Sequence, residues 1–268
     1  MKYTVNNIDI QYSSEGKTMR GDDCVLLQTD VDLTVKTRWA KKGYTIENLF
    51  DENNYHLFKT NTKSLLLKCW RDAGLTPSEF FPLDQYHNLV QTNEAHLAAL
   101  EKTKLLSVKF FPMDIQILEN RISEICKEEL IVKNPYDEQT VFHFRVVRPQ
   151  QSDNNPLHRD VWLEDYKDCI NLYIPVCGSN DLSSLIIIPE SHHWPESKIE
   201  RTLEGAQIGN IKYNVPAITK LDTEANYVRP NPGENEVLIF SPYLIHGGSV
   251  NVNNDVTRIS IEVRLWRI

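Results

Sequence analysis

The hydrophobic pattern changes period twice along the chain. Near the N-terminus Val31, Leu33, Val35, Thr37 and Trp39 alternate with Asp32, Thr34, Lys36 and Arg38. That period of two predicts a half-buried strand and makes residues 1–40 mainly β. From about residue 60 the spacing is helical. Leu66, Cys69, Trp70 and Ala73 share one face, with Asn61 or Thr62 as the expected cap and Gly74 just past the end. A second helix is expected from Asp84, its face lined by Tyr86, Leu89, Val90, Leu97 and Leu100. A third follows Pro112, read as a first-turn proline, with Ile115, Leu118, Ile122 and Cys126 on one side.

Beyond Asn134 the pattern turns to β almost to the end, in segments 141–147, 168–176, 183–189, 236–241 and 256–266. Short strands separated by polar turns predict a mainly β fold with flanking helices, a sandwich or jelly-roll barrel covered by helices on one outer face. In the last segment Thr257, Ile259, Ile261, Val263 and Leu265 are expected to face those helices, while Arg258, Ser260 and Glu262 point inward. Burying such a polar row is costly unless it is paired, so it marks a site inside the barrel. The expected organisation is a single domain over 1–268. Residues 1–135 supply N-terminal strands and a helical support layer, and 136–268 supply the β core.

Composition narrows the function. The 268 residues are 41% hydrophobic and 25% charged, an ordinary globular balance. A formal charge of -8 argues against a nucleic-acid or anionic-membrane partner, since both attract basic surfaces. The longest apolar runs, such as 185–189, are far too short to span a bilayer, and the first residues lack the apolar core of a signal peptide. A cytoplasmic protein is expected, with a homodimer possible. Its five widely spaced cysteines include no C-x-x-C pair and read as reduced, mostly buried thiols.

Candidate chemistry begins in the segment PLHRDVW. There His158 and Asp160, two residues apart, would project from the same face of a strand. Alone, such a pair arises readily by chance. A second segment adds His246 at the end of an apolar strand, two glycines, and Arg258 and Ser260 on the next strand. Two histidines and a carboxylate on one face of an octahedron leave three positions open. That suits non-haem Fe(II), which must bind a bidentate co-substrate and then O₂.

With these residues in place the sequence resembles the Fe(II)/2-oxoglutarate-dependent dioxygenases, and among them the phytanoyl-CoA dioxygenase-like branch, over roughly residues 140–266. The resemblance implies a double-stranded β-helix, cupin-like in form. It implies that His158, Asp160 and His246 bind iron, and that Arg258 anchors the 2-oxoglutarate carboxylate, with Ser260 completing an Arg-x-Ser pair. The stretch LIIIPESHHW resembles the branch's strand and turn ending in Pro-x-Ser-His, in which His192 is structural. A planar guanidinium grips a carboxylate through two parallel hydrogen bonds, which agrees with Arg258 as anchor; a structural role would instead pair it with Glu262.

Asn171 and Tyr173 share a face of the following strand and either contact 2-oxoglutarate, line the pocket or pack in the core. Arg145 either meets an anionic substrate group or sits in a structural salt bridge. Trp162 either walls the pocket or packs in the core. His56, His87, His96, His143 and His193 read as ordinary core or surface residues. Loops 149–157 and roughly 194–235 are where this scaffold would carry specificity. The implied activity is hydroxylation of a C–H bond in a small polar metabolite, a sugar or amino-acid derivative, as 2-oxoglutarate becomes succinate and CO₂. One rival is a catalytically silent jelly-roll metal-binding sensor or scaffold. Another is a cupin-like metalloenzyme without 2-oxoglutarate, which would not need Arg258 and Ser260 facing inward.

Overall fold

The computed structural model describes all residues except 30, 153, 154, 210 and 249. The chain opens with a hairpin of β1 (Lys2–Val5) and β2 (Ile8–Gln11), then β3 (Thr18–Arg20) and β4 (Tyr44–Asn48). Next come α1 (Glu52–Asp72), α2 (Asn93–Glu101), β5 (Leu106–Ser107), α3 (Ile115–Cys126) and β6 (Leu130–Ile131). The β region runs through β7 (Val141–Val147), β8 (Cys169–Cys177) and β9 (Ile186–Ile188). It continues with β10 (Ile199–Thr202), β11 (Ala206–Ile208), β12 (Ile211–Tyr213) and β13 (Ile218–Leu221), and ends with β14 (Glu236–Phe240), β15 (Ile245–Gly247) and β16 (Arg258–Arg267).

Seven strands form one antiparallel sheet in the order β4-β14-β8-β16-β7-β5, with β6 also on β16. Facing it are smaller sheets, β15-β9 and β13-β10-β3. Three layers of core follow. Phe58, Leu66 and Trp70 of α1 and Leu118 and Ile122 of α3 pack with Phe142, Phe144, Ile170, Leu172, Ile259, Ile261, Val263 and Leu265 on the outer face of the large sheet. Each such side chain contributes about 1.5–3 kcal/mol when fully buried. Between the sheets lie Tyr44, Tyr173, Leu185, Ile187, Leu238, Phe240 and Leu244. Behind the small sheets, Tyr3, Val5 and Ile10 of the N-terminal hairpin cover Leu157, Ile186, Ile188 and Ile245. The last strand alternates as its sequence predicts, with isoleucine, valine and leucine toward the helices. Jelly-roll architecture with a helical cover is therefore the fold.

Several local expectations need correction. Residues 31–39 form turns, not a strand. The Asp32 carboxylate accepts from the Thr34 amide at 2.8 Å and its hydroxyl at 2.7 Å, offering the backbone a local partner in place of a ladder. Leu33 and Trp39 are buried there, but Val35 is exposed. The first helix starts at Glu52, capped by Asp51, whose side chain accepts from the Asn54 amide at 2.9 Å. Asn61 and Thr62 lie inside it, and Asn61 donates to the Pro112 carbonyl. The helix from Asp84 divides into a 3-10 turn, 83–88, and α2, which is capped by Thr92. Leu97 faces outward, with His96 and Ala99 buried instead. Pro112 precedes α3 outside its first turn, because Asp114 is the cap.

Candidate metal centre

His158 and Asp160 do not share a strand face. His158 forms a lone antiparallel bridge with His246, each amide donating to the other's carbonyl, at 2.9 and 3.0 Å. Directly after it the chain enters a 3-10 turn at Asp160, whose amide donates to the Pro242 carbonyl at 3.1 Å. Bridge and turn together converge what a strand would have aligned. The ligand atoms of His158, Asp160 and His246 all lie within 4.8 Å of one another, and all three residues are buried. Asp160 Oδ1 is 3.1 Å from His158 Nε2 and 3.7 Å from His246 Nε2.

The surroundings fix each ligand's state. His158 Nδ1 is 2.7 Å from the Pro156 carbonyl and His246 Nδ1 3.0 Å from the Leu244 carbonyl. A carbonyl only accepts, so each Nδ1 carries a proton, and each Nε2 is the ring nitrogen turned to the shared centre. Burial, reinforced by the neighbouring His158, lowers the His246 pKa to about 4, keeping it neutral as a ligand must be. Burial alone would raise the Asp160 pKa, but the Arg264 guanidinium overcomes it and holds the carboxyl well below the usual range. Its Oδ2 is occupied, accepting from Asn171 Nδ2 at 2.9 Å and Arg264 Nη2 at 3.0 Å. Oδ1 is the carboxylate oxygen turned to the two imidazoles.

The cavity beside this group is bounded by His158, His246, Arg258, Ser260, Arg145, Glu262, Asn155, Tyr173, Leu185 and Phe240, among others. Arg258 is 1% exposed, yet among the described residues its Nε and Nη2 have no hydrogen-bond partner; the same holds for Ser260 Oγ. The Tyr173 ring lies under the guanidinium at 5.6 Å. A buried cation with free donors is costly unless a ligand completes it, and two donors plus a hydroxyl match a carboxylate. The donor set also fits a non-haem iron with such a co-substrate.

The remaining site expectations distribute unevenly. Asn171 holds Asp160, and Tyr173 lines the cavity with its hydroxyl 2.9 Å from Ser179 Oγ. Glu262 pairs with Arg145 and Arg264, not Arg258. Arg145 thus has a salt bridge while still bordering the cavity. Trp162 lies away from it, donating to Glu196 at 3.0 Å under the Arg201 guanidinium. His192 is fully buried, its Nε2 2.9 Å from the Ala40 carbonyl. The 194–235 segment carries β10 to β13, and Asp153 and Asn154 of the other loop lie outside the described residues.

Two features escaped the sequence reading. Arg264 continues the inward row Arg258, Ser260, Glu262 by one further alternation, a signal that was available. Arg159, between the two ligands, is fully buried; it donates to Glu196 and to the Ser191 carbonyl, while the Ser191 hydroxyl accepts from the Ile245 amide at 2.8 Å. Ser191 therefore joins the segment bearing His158 and Asp160 to the one bearing His246. Nothing in the local sequence foretells that meeting.

A jelly roll that gathers two histidines and one carboxylate beside a buried arginine, whose Nε and Nη2 have no partner among the described residues, fits the donor set of a non-haem iron oxygenase. The profile of the phytanoyl-CoA dioxygenase (PhyH) family matches residues 80–260, and the chain belongs to that family. It is thus a dioxygenase of a family whose enzymes use Fe(II), 2-oxoglutarate and O₂, acting on a small molecule. Among solved structures, EctD from S. alaskensis, determined with 2-oxoglutarate and 5-hydroxyectoine, is similar. It has 13% identity and a TM-score of 0.50, covering 96% of this chain and 86% of that one. ThoJ, a non-heme monooxygenase in its apo form, has 10% identity and a TM-score of 0.51, covering 88% and 77%. At these identities the likeness is one of fold. No curated protein sequence matches the chain. Among the described residues no helix is long and apolar enough to cross a membrane.

Proposed function

We propose that the enzyme hydroxylates a C–H bond of a small polar metabolite, a sugar or amino-acid derivative. In this reading His158, Asp160 and His246 hold the iron, and Arg258 with Ser260 holds the distal carboxylate of 2-oxoglutarate. The observation that carries it is the buried Arg258 with unpartnered Nε and Nη2 in the same cavity as the two histidines. Bound iron supplies O₂ activation, with 2-oxoglutarate as the reductant that leaves as succinate and CO₂.

The chain's own residues do the rest. Both Nε2 lone pairs and Asp160 Oδ1 set one ligating face, and Arg264 and Asn171 keep Oδ2 from competing. Leu185, Phe240 and the Tyr173 ring supply the apolar part of the lining. The polar lining, Arg145, Glu262 and Asn155, suits hydrogen-bonding substrates. A long acyl chain would gain about 0.8 kcal/mol per buried CH₂ only from continuous apolar surface.

The test is anaerobic addition of Fe(II) and then 2-oxoglutarate, followed by succinate release with polar metabolites and with an acyl-CoA panel. A visible charge-transfer band should form in the wild type and be lost in His158→Ala and His246→Ala. Turnover should be stimulated by polar compounds. An unchanged band in both variants would defeat the ligand assignment, and stimulation confined to acyl-CoA would defeat the substrate class.

A further inference from the structure

The charges around the cavity do not balance. Arg145, Arg258 and Glu262 border it. Directly behind them Arg264 joins Glu262 at 3.1 Å to Asp160 at 3.0 Å. Two carboxylates thus face three guanidiniums, a surplus of one positive charge. Buried Arg229, which also repels Arg258, lies outside that lining and has Asp181 as its own countercharge, so the surplus stays at one. Fe(II) and dianionic 2-oxoglutarate bring equal and opposite charges, so loading the site leaves the excess in place. Among mostly buried residues an unbalanced charge is costly, and a ligand of opposite sign relieves it.

Its position is readable. Arg258 is almost fully buried, and the Arg264 side chain is 12% exposed and bound on both sides, whereas the Arg145 side chain is 29% exposed where it borders the cavity. Arg145 extends from β7 opposite Ser260 of β16. Among the described residues it is hydrogen-bonded through Nε, to Glu262. Glu262 therefore clamps one edge of the guanidinium and leaves the Nη1/Nη2 end for a second planar anion. That is how a guanidinium is presented when it serves as a receptor.

From this we infer that Arg145 is a substrate subsite for a single carboxylate, oriented by Glu262, and that the natural substrate is a carboxylic acid. The inference rests on the oxygenase reading above. A carboxylate matches the surplus of one charge, whereas a phosphate dianion would overshoot it. A neutral sugar would leave it standing.

The probe is ¹³C-acetate, titrated into the anaerobic Fe(II)/2-oxoglutarate complex while paramagnetic broadening of its carbon resonances is followed. Saturable broadening is expected, with none from acetamide. R145Q should weaken acetate at least tenfold and R145K should keep part of the affinity. Both should retain the wild-type affinity for 2-oxoglutarate, read from the charge-transfer band. Broadening that is absent from the wild type, equal with acetamide, or intact in R145Q would overturn the subsite. So would a loss of 2-oxoglutarate affinity in R145Q, which would assign Arg145 to the co-substrate. If the wild type gives no band at all, the oxygenase reading fails and the subsite falls with it.

Discussion

Two arginines on one strand, Arg258 and Arg264, do opposite work with the same functional group. Arg258 is buried with no partner for Nε and Nη2 among the described residues. Arg258→Ala should leave Fe(II) binding intact and weaken 2-oxoglutarate. A charge-assisted pair contributes roughly 1.5–3 kcal/mol, so a titration should show a loss of about one to two orders of magnitude. Arg264 is saturated with carboxylates and controls which oxygen of Asp160 remains available. Arg264→Met should therefore act on the metal, lowering Fe(II) affinity about 10–100-fold, as loss of an outer partner does elsewhere. Equilibrium dialysis against Fe(II) would separate the two variants, since only the second should shift.

At the scale of elements, the ligand segments depend on a buried ion pair behind them. Glu196 accepts from Arg159 and, at 3.0 Å, from Trp162. Glu196→Gln leaves the fully buried Arg159 without its countercharge, which should cost about 3–5 kcal/mol in a urea titration of the metal-free protein. What the sequence made legible follows the same division. β7 and β16 were readable because their alternation is uninterrupted and both faces have a clear destination. The inward placing of Arg258 and Ser260 followed from that alternation, whereas the grouping of His158, Asp160 and His246 followed from motif spacing and the family resemblance. A bridge and a turn bring those three together in place of a shared strand face. Residues 31–39 alternate equally well, yet Asp32 and Thr34 satisfy the backbone locally and the strand never forms. The first ten residues of α1 are mostly polar and gave no helical face, although Asp51 caps them. The partnership of Ser191 with both ligand segments, like that of Glu262 with Arg145, is made by tertiary contact and has no local signature.

Across the whole molecule the layers are pinned by a few buried polar contacts, of which His192 is one. It reaches from the turn after β9 to the Ala40 carbonyl and packs on Gly43, where a Cβ would come within 2.6 Å of its ring and φ is +81°. Burial lowers its pKa to about 4 from the ordinary 6.5, so the folded chain refuses a proton that the unfolded chain accepts. Stability linked to His192 is full above pH 6.5 and drains away as the pH falls toward 4. Between pH 7 and 5 the loss should be about 2 kcal/mol. His192→Gln, which can keep the donor to Ala40, should flatten that part of the urea midpoint's pH dependence; an unaltered slope would place the effect on other histidines.

The reciprocal amide bonds between His158 and His246 have a kinetic corollary. Because two distant stretches of chain are fastened to each other at His158 and His246 themselves, the two imidazoles are held side by side by the backbone without an ion between them. Capture then needs no ordering of loops. If these residues hold the iron as proposed, the rate of capture should be set by how fast the hydrated cation sheds water and enters, and stopped-flow Fe(II) binding should show no slow folding phase.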